Sequence, residues 1–474
     1  MNIRDWSSDV CSSDLQLRQN IRKLLARLDR DVRVDGSWDR VDIDVPDGRG
    51  LYGPMIDELL RIPGISSVQE VEVFPLVSPE DIAEKAVTAY EGRLTAKTLA
   101  VRARRVGTHD FRSIDVERAV GAALLKTYDT AGVDLKSPDV EVRVEVKNDT
   151  FLISTRKHQG LGGYPVGTVD NVMTLISGGY DSSVAAYLMM RRGLRNHYLF
   201  FNLGGTAHEV GVRQVAHYLW QRYGSSHGVK FVSVPFEGVV AEIMRSVNHR
   251  HWGVVLKRQM LKAAGELAPL LNASGLVTGD AVAQVSSQTL QNLNVVNRAT
   301  DEVVLRPLVA MDKQEIIRIA HEIGTEGFAR NMPEYCGVIS QKPATRAKLH
   351  RVEEDEANMD PQVLADAISN REETPIRALL DSTVTPEEVE LVQTPSVEDV
   401  IVDVRHPSEE EQAPLQLTNN EILRIPFYEV NQRLPELPQN RHYLLYCDKG
   451  TMSRMHAGHL KAEGHDNVKV YAPA

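Results

Sequence analysis

The residues Ser177-Gly178-Gly179-Tyr180-Asp181-Ser182 lie between an apolar run at 172–176 and a helical pattern that begins near Ser183. A strand, a Gly-rich turn and a helix in that order make a cradle for pyrophosphate. The two glycines permit backbone conformations and a close approach that a Cβ would hinder. Their N–H groups can converge as an anion nest, and the helix N-terminus adds partial positive charge. Ser177, Ser182 and Ser183 supply hydroxyl donors for phosphate oxygens. Asp181 cannot help bind a bare anion, so the role that suits it is holding Mg2+ carried by a nucleotide. The plain alternative is an ordinary Gly-rich turn closed by a capping serine.

The spacing GxxxxGK[ST] and its lysine are missing, so this is not a Walker A loop. The pattern resembles the PP-loop of the ATP pyrophosphatase superfamily. That resemblance implies cleavage of ATP between its α- and β-phosphates, with adenylation of a substrate oxygen.

Two cysteines lie in loops. Cys447-Asp-Lys-Gly-Thr-Met452 follows the strand-like Tyr443-Leu-Leu-Tyr446 and precedes a helix beginning near Ser453. Backbone N–H groups, a helix N-terminus, Lys449 and Arg454 would all favour a thiolate there, and equally a terminal persulfide, which is an anion. With Asp403-Val404-Arg405 one strand earlier, the loop resembles the rhodanese sulfurtransferases. A cysteine-phosphatase loop, C-x5-R, would need arginine at 453, but Ser453 is there and Arg454 comes one residue late. A buried cysteine ending a strand is the third reading. Cys336 lies in MPEYCGVIS, where proline and glycine argue for a loop. Its meaning comes from its company: it could attack or resolve the persulfide, leaving a transient Cys336–Cys447 disulfide. Cys11 reads as incidental. His249 and His251 lack the i, i+4 spacing of two ligands on one helix face, and no metal site is expected there.

The elements around these loops follow from pattern and composition. A chain of 474 residues calls for two to four domains, and 42% hydrophobic content is enough for several cores. No stretch of about 18 uncharged apolar residues appears, which argues against a membrane span. No apolar segment near the start suits a secretion signal, so a cytoplasmic location is expected. The net charge of −11 is uneven: residues 351–411 hold four Lys/Arg and eighteen Asp/Glu, leaving +3 for the remainder. The acidic stretch reads as a solvated, helical connector.

Residues 1–15, with SSD twice and no periodicity, read as a disordered or foreign leader. Apolar positions at 16–28 keep helical spacing, strands are expected near 32–34, 41–45 and 68–73, and a second helix spans 51–62. That content suggests a ferredoxin-like unit over 16–77. A second small α/β domain spans 78–157. Within it, residues 91–118 carry seven Lys/Arg against four Asp/Glu, a face suited to phosphate contacts and RNA shape readout, or else a solvated surface. Strands at 172–177, 197–203, 229–234 and 275–279 alternate with helices, predicting a doubly wound parallel sheet within 158–345. Such sheets bind ligands at the carboxyl ends of their strands, where SGGYDS lies. The connector takes 346–394, and a last small α/β domain takes 395–474.

The segments NLGGTAHEVGVRQVAHYLW, TGDAVAQVSSQT, RPLVAMDKQEII and MPEYCGVIS, with SGGYDS and CDKGTMSR, look like those of the tRNA 4-thiouridine synthetase family, also called the ThiI or tRNA sulfurtransferase family. The resemblance covers roughly residues 16–474. It departs at the start, where the family opens with a β-strand and a short Lys-containing turn. It implies an α/β multidomain fold: a ferredoxin-like N-terminal unit, a THUMP RNA-binding domain, a PP-loop domain and a C-terminal rhodanese-like domain.

By the same resemblance, a uridine at position eight of tRNA is adenylated at its C4 oxygen, with ATP and Mg2+. Leu175, Ile176, Ser177, Gly178, Gly179, Asp181 and Ser182 would border or bind the nucleotide. Lys257, Gly279 and Gln288 match further ATP-contacting positions, and Lys313 matches a lysine required for activation. Cys447 would accept sulfur from a cysteine desulfurase, and Cys336 would assist its transfer. Delivery of sulfur to a ubiquitin-like carrier protein for thiamine thiazole synthesis is a second implied role, and a homodimer is compatible with the sequence. The competing functional classes are an RNA-binding THUMP scaffold with relic loops, and a PP-loop adenylating enzyme without tRNA thiolation.

Overall fold

Helix α1 (Ser7–Leu25) buries Ile21, Leu24 and Leu25 along one stripe, the spacing that the sequence shows from residue 16. The computed structural model describes residues 7–37, 40–45, 50–203, 205–330, 343–381, 389–405, 410–411, 413–416, 419–425, 430, 433–448, 450–462 and 464–473. The helix therefore reaches back into the stretch expected to be disordered. Once a buried stripe anchors a helix, extending it costs only propagation. Two compact units emerge, one from residues 1–24, 34–43 and 164–474, the other from 25–33 and 44–163.

Strands β1 (Arg33–Ser37) and β2 (Arg40–Asp44) form a two-stranded sheet, and α2 (Tyr52–Leu59) buries Met55 and Leu59. Then come β3 (Ser67–Pro75), α3 (Pro79–Ala89), β4 (Thr98–Val106), α4 (Ser113–Thr127), β5 (Gly132–Val133), β6 (Val140–Lys147) and β7 (Thr150–Gln159). Their sheet runs β3-β7-β6-β4-β5. The alternation of Val142, Val144 and Val146 with polar residues buries one face of β6 against Val116, Val120 and Leu124 of α4. The sequence assigns β3 to the first small domain, yet it pairs with β7 along its whole length. Stacking of Phe74 on Phe151, with ring centroids 5.2 Å apart, draws it there. The basic stretch is largely occupied within its own unit. Arg93 donates to Thr155 O at 2.6 Å, Arg105 folds onto His109, and Arg102 approaches Glu141 at 3.9 Å, while Arg104 and Arg118 stay exposed.

The larger unit holds a six-stranded sheet of order β12-β11-β8-β9-β10-β13. Its members are β8 (Asn171–Leu175), β9 (Arg195–Asn202), β10 (Lys230–Pro235), β11 (Ala273–Val277), β12 (Val304–Leu305) and β13 (Glu372–Pro375). All pairings are parallel except β10 with β13. Helices α5 (Tyr180–Arg191), α6 (Gly205–Leu219), α7 (Glu237–Ser246), α8 (Trp252–Leu267), α9 (Leu290–Asn297) and α10 (Lys313–Glu322) alternate with them. Because β8 pairs with β9 on one side and β11 on the other, strand order reverses at β8. In open parallel sheets a ligand crevice forms at such a reversal, and the SGGYDS turn follows β8 there.

The acidic segment is not a solvated connector. Helices Leu349–Glu356 and Pro361–Ser369 bury Val352 and Ala367, and β13 closes the edge of the sheet. The Glu356 side chain is only 8% exposed, and Arg258, Gln259 and Lys262 of α8 donate to it at 2.9–3.1 Å. A further all-parallel sheet, β14-β18-β17-β15-β16, comprises β14 (Leu391–Val392), β15 (Val400–Asp403), β16 (Ile422–Arg424), β17 (Tyr443–Tyr446) and β18 (Val468–Tyr471).

Two buried histidines set an acid limit on this unit. Burial pushes His197 and His227 down to about 4, aided by Lys230 and Arg195 at the first and by Arg195 and Lys23 at the second. His197 Nδ1 accepts from Lys230 N at 3.0 Å, which a protonated nitrogen could not do. The unfolded chain protonates both near pH ~6.5, so stability is full above that value and falls as pH drops towards 4, by about 1–3 kcal/mol per histidine. Urea melts at about pH 7.5 and about pH 5 should therefore show a lower midpoint at the acid value. Equal midpoints would mean that these rings are not held neutral.

Candidate functional site

The turn after β8 is built from its own side chains. Buried Thr174 donates to Asn196 Oδ1 at 2.6 Å, and Ile176 N reaches Leu199 O at 2.8 Å, so β8 is fixed up to its last residue. Gly178 takes φ +81°, open to glycine at no steric cost, and Gly179 caps α5. Ser182 Oγ accepts from Ser177 N at 3.1 Å and meets Ser177 Oγ at 3.2 Å, while Ser183 Oγ donates to Gly179 O at 2.9 Å. The loop is thereby preshaped, with the first turn of α5 pointing its N–H groups into the crevice.

Asp181 stands on that first turn. Its Oδ1 accepts from Lys313 Nζ at 2.8 Å and its Oδ2 from Gln284 Nε2 at 2.7 Å. Lys313 opens α10, whose start is capped by the Asp312 carboxylate accepting from Glu315 N at 2.8 Å. Its ammonium lies 5.4 Å from the Tyr180 ring centroid, so one lysine is bound on both sides by the turn it serves.

A second carboxylate, Asp280, lies on the loop after β11. It is 5% exposed, and Lys257 Nζ reaches it at 2.5 Å, Thr278 Oγ1 at 2.8 Å and Gln288 Nε2 at 3.2 Å. Burial alone would raise its pKa. The Lys257 charge and the bonds from Lys257 and Thr278, joined by the Arg306 charge, outweigh it and hold the carboxyl down at about 2. Gly279 sits between the two carboxylates' segments. A Cβ there would stand 2.7 Å from Asp181 C and 2.8 Å from Ser182 N, both backbone. Glycine at 279 thus lets the β11 loop close on the SGGYDS turn. Gly279→Ala should push that turn away and weaken ATP binding by about fivefold to 150-fold, the effect of overpacking by about 1–3 kcal/mol. Equilibrium binding of a non-hydrolysable ATP analogue checks this, and wild-type affinity would refute it.

The structure therefore brings together Leu175, Ile176, residues 177–182, Lys257, Gly279, Gln288 and Lys313 around one crevice. Thr278, Asp280, Gln284 and Arg306 join them without having been singled out from sequence. The signal that could have found them was position: TGDAVAQ follows a strand of a parallel sheet, where ligand groups gather.

Cys447 ends β17 and is 8% exposed. Ser453 N donates to its Sγ at 3.4 Å, and Ser453 Oγ lies 3.5 Å from the sulfur. Gly450 takes φ +68° and turns the chain so that Gly450 N meets Cys447 O at 3.1 Å. The frame of this loop is Arg405, which is nearly fully buried. Its Nε and Nη2 grip Asp403 at 2.9 Å and 2.7 Å, and its Nη1 holds Asp448, the residue after the cysteine, at 3.0 Å. Hydrogen bonds from Arg405 to Asp403, with the neighbouring acidic charges, push the guanidinium pKa up further despite its burial. A thiol facing a backbone N–H at a helix start is a site for a sulfur anion. Cys336, its MPEYCGVIS segment and Lys449 lie outside the described residues.

Comparison with known proteins gives these sites their company. Residues 167–360 match the ThiI family, described as a thiamine biosynthesis protein. Residues 78–156 match the THUMP domain, and 386–473 the rhodanese-like domain. The chain is similar to the tRNA sulfurtransferase of Marinobacter nauticus, 79% identical over 459 residues that cover 97% of this chain and 95% of that one. It is 49% identical to the tRNA sulfurtransferase of Pseudomonas aeruginosa over 461 residues, with coverage of 97% and 95%. A 4-thiouridine synthetase crystallised with RNA and bound ATP superposes with a TM-score of 0.70 at 26% identity, covering 79% of this chain and 97% of that one. With relatives at such identity over 97% of this chain, and with the SGGYDS turn closed by Ser182 and Cys447 facing Ser453 N, the chain belongs to the ThiI family of tRNA sulfurtransferases.

Proposed function

We propose that this chain adenylates the C4 oxygen of a uridine at position eight of tRNA and replaces it with persulfide sulfur, giving 4-thiouridine. The observation that carries the reading is the crevice at the β8–β11 reversal, where the SGGYDS turn meets Lys313 and packs against the loop whose Asp280 holds Lys257 and Gln288. Residues 177–182 would receive the departing pyrophosphate through backbone N–H groups and the Ser177 and Ser182 hydroxyls. Leu175 and Ile176 would border the nucleotide with their backbone. Lys313, already at the turn, would steady the charge that develops during adenylyl transfer. Asp181 fits Mg2+ carried by ATP, since one carboxylate with phosphate oxygens and water is a usual set for that ion, which neutralises phosphate charge when bound. Among the described residues no cluster of three His, Cys, Asp or Glu forms a metal site of its own.

Cys447 would carry the sulfur as a persulfide received from a cysteine desulfurase, with Ser453 N facing the anion. The C4–S bond forms as the bond from C4 to the adenylated oxygen breaks and AMP leaves. Attack by the Cys336 thiolate on the Cys447 sulfur then frees the uridine-bound sulfur and leaves a Cys336–Cys447 disulfide, which an external thiol must reduce before the next cycle. The THUMP-containing unit would grip tRNA by its backbone and shape, through exposed groups such as Arg104 and Arg118. No described helix is long and apolar enough to cross a membrane, and the cytoplasm is the compartment proposed.

The test is to incubate the purified chain with tRNA, Mg-ATP, cysteine and a desulfurase and to assay nucleosides by mass spectrometry. 4-Thiouridine is expected. Its absence with a folded protein and an active desulfurase would leave the scaffold reading standing. A second role, sulfur delivery to the C-terminal carboxylate of a ubiquitin-like carrier for thiamine thiazole synthesis, is favoured by the thiamine description of the matched family. That role would run through Cys447 without the crevice.

A further inference from the structure

Asp280 divides its two oxygens between two sets of partners. Oδ1 accepts from Lys257 Nζ at 2.5 Å and from Gln288 Nε2 at 3.2 Å, the two side chains assigned to ATP above. Oδ2 accepts from Thr278 Oγ1 at 2.8 Å and lies 3.4 Å from Arg306 Nε. Thr278 directly follows β11 and Arg306 directly follows β12, so the Oδ2 side belongs to the framework.

Arg306 is only partly used. Its Nη1 donates to Asn297 Oδ1 at 3.1 Å and approaches Val304 O at 3.5 Å. Its Nε and Nη2 are buried and make no hydrogen bond, although its side chain is only 14% exposed. A buried guanidinium ordinarily spends its donors. Here two are left over beside a buried carboxylate. Across the same carboxylate, Gln288 Oε1 is a buried acceptor without a partner.

Held on Asp280, Lys257 has its charge neutralised by a carboxylate rather than offered to a phosphate. For Lys257 to turn to a phosphate it must loosen from Asp280, and that would strand a buried negative charge. We infer that Arg306 is a positioning residue for ATP, the counter-ion that closes on Asp280 when Lys257 moves to the phosphates. The inference rests on the reading that Lys257 contacts ATP. Closing from 3.4 Å to an ordinary charge-assisted bond of about 2.8 Å asks only a small adjustment of Nε, which has no other bond to give up. The segment RPLVAMDK thus supplies a cation to each carboxylate of the crevice, Arg306 to Asp280 and Lys313 to Asp181.

The experiment uses the full chain and the equilibrium dissociation constant of α,β-methylene ATP, with melting curves for every variant. Arg306→Gln should weaken binding about tenfold, or about 1.4 kcal/mol, because Lys257 stays committed to Asp280. The Asp280→Asn, Arg306→Gln double variant should bind more tightly than Arg306→Gln alone, since a neutral amide leaves no charge to strand. An arginine that merely props the loop would make the double variant as weak as the single one, or weaker. Should Arg306→Gln fail to fold, Arg306→Met with and without Asp280→Asn makes the same comparison, with the same direction of rescue expected. Wild-type affinity in the single variant, or no rescue in the double, overturns the inference. Failure of the wild-type chain to bind the analogue would instead overturn the ATP site itself, and the inference with it.

Discussion

Cys447→Ala is expected to end sulfur loading and to lower tRNA thiolation by about a thousandfold or more, the scale on which enzymes lose activity when a covalent nucleophile is removed. Only a sulfur at position 447 can form the S–S bond of a persulfide, so Cys447→Ser should fail equally. The fold should survive, because the cysteine contributes little beyond its contact with Ser453, while the loop is held by Arg405 through Asp403 and Asp448. ATP-dependent release of pyrophosphate in the presence of tRNA should persist, since the crevice residues lie on a different sheet. Transfer of labelled sulfur from cysteine by the desulfurase, followed by intact-protein mass spectrometry, reads the first effect. Normal loading of Cys447→Ala would move the sulfur site to Cys336 or Cys11, the other two cysteines of the chain.

The converse variant should separate the two halves of the chemistry. Asp181→Ala is expected to reduce AMP formation by about a hundredfold to a thousandfold, the range seen when one preorganised electrostatic group is lost. Persulfide loading at Cys447 should stay at the wild-type level. The loss has two parts: the carboxylate suited to Mg2+ disappears, and Lys313 and Gln284 lose the acceptor that holds them at 2.8 Å and 2.7 Å. Asp181→Asn separates these parts, because its amide oxygen can still accept a hydrogen bond but carries no charge. If charge is the requirement, both variants fail alike; near-normal AMP formation by the asparagine variant would reduce Asp181 to a positioning role. Growth without thiazole in an Asp181→Ala strain that lacks 4-thiouridine would show that the carrier role bypasses the crevice.

The two sites were legible in the sequence to different depths. Strand, glycine pair and serine in SGGYDS are a local signal, and the turn is held by bonds among residues 177, 179, 182 and 183. Cys447 was equally visible as the residue that follows a short apolar strand. Asp280 was not, because TGDAVAQ has no periodicity and its meaning lies in partners from α8, from the turn after β12 and from Gln288. The acidic segment misled for a related reason. Counting charges over 351–411 predicts a solvated connector, but Glu356 is neutralised by Arg258 and Lys262, almost a hundred residues earlier. Strand β3 was recognised as a strand and grouped with the first small domain, and nothing in 67–75 says that its partner is 150–159.

By itself, then, the sequence determined what depends on neighbours in the chain: helix and strand periodicity, the shape of the nucleotide turn, the cysteine at a helix start, and the residue types that suit adenylation and sulfur transfer. Only the tertiary structure decided which distant groups share one buried carboxylate, why Gly279 must lack a Cβ, and that two donors of Arg306 remain unspent. The reason is physical. Local geometry follows from backbone sterics and side chains a few residues apart, whereas burial and charge compensation are settled by whichever segments the sheet order brings together.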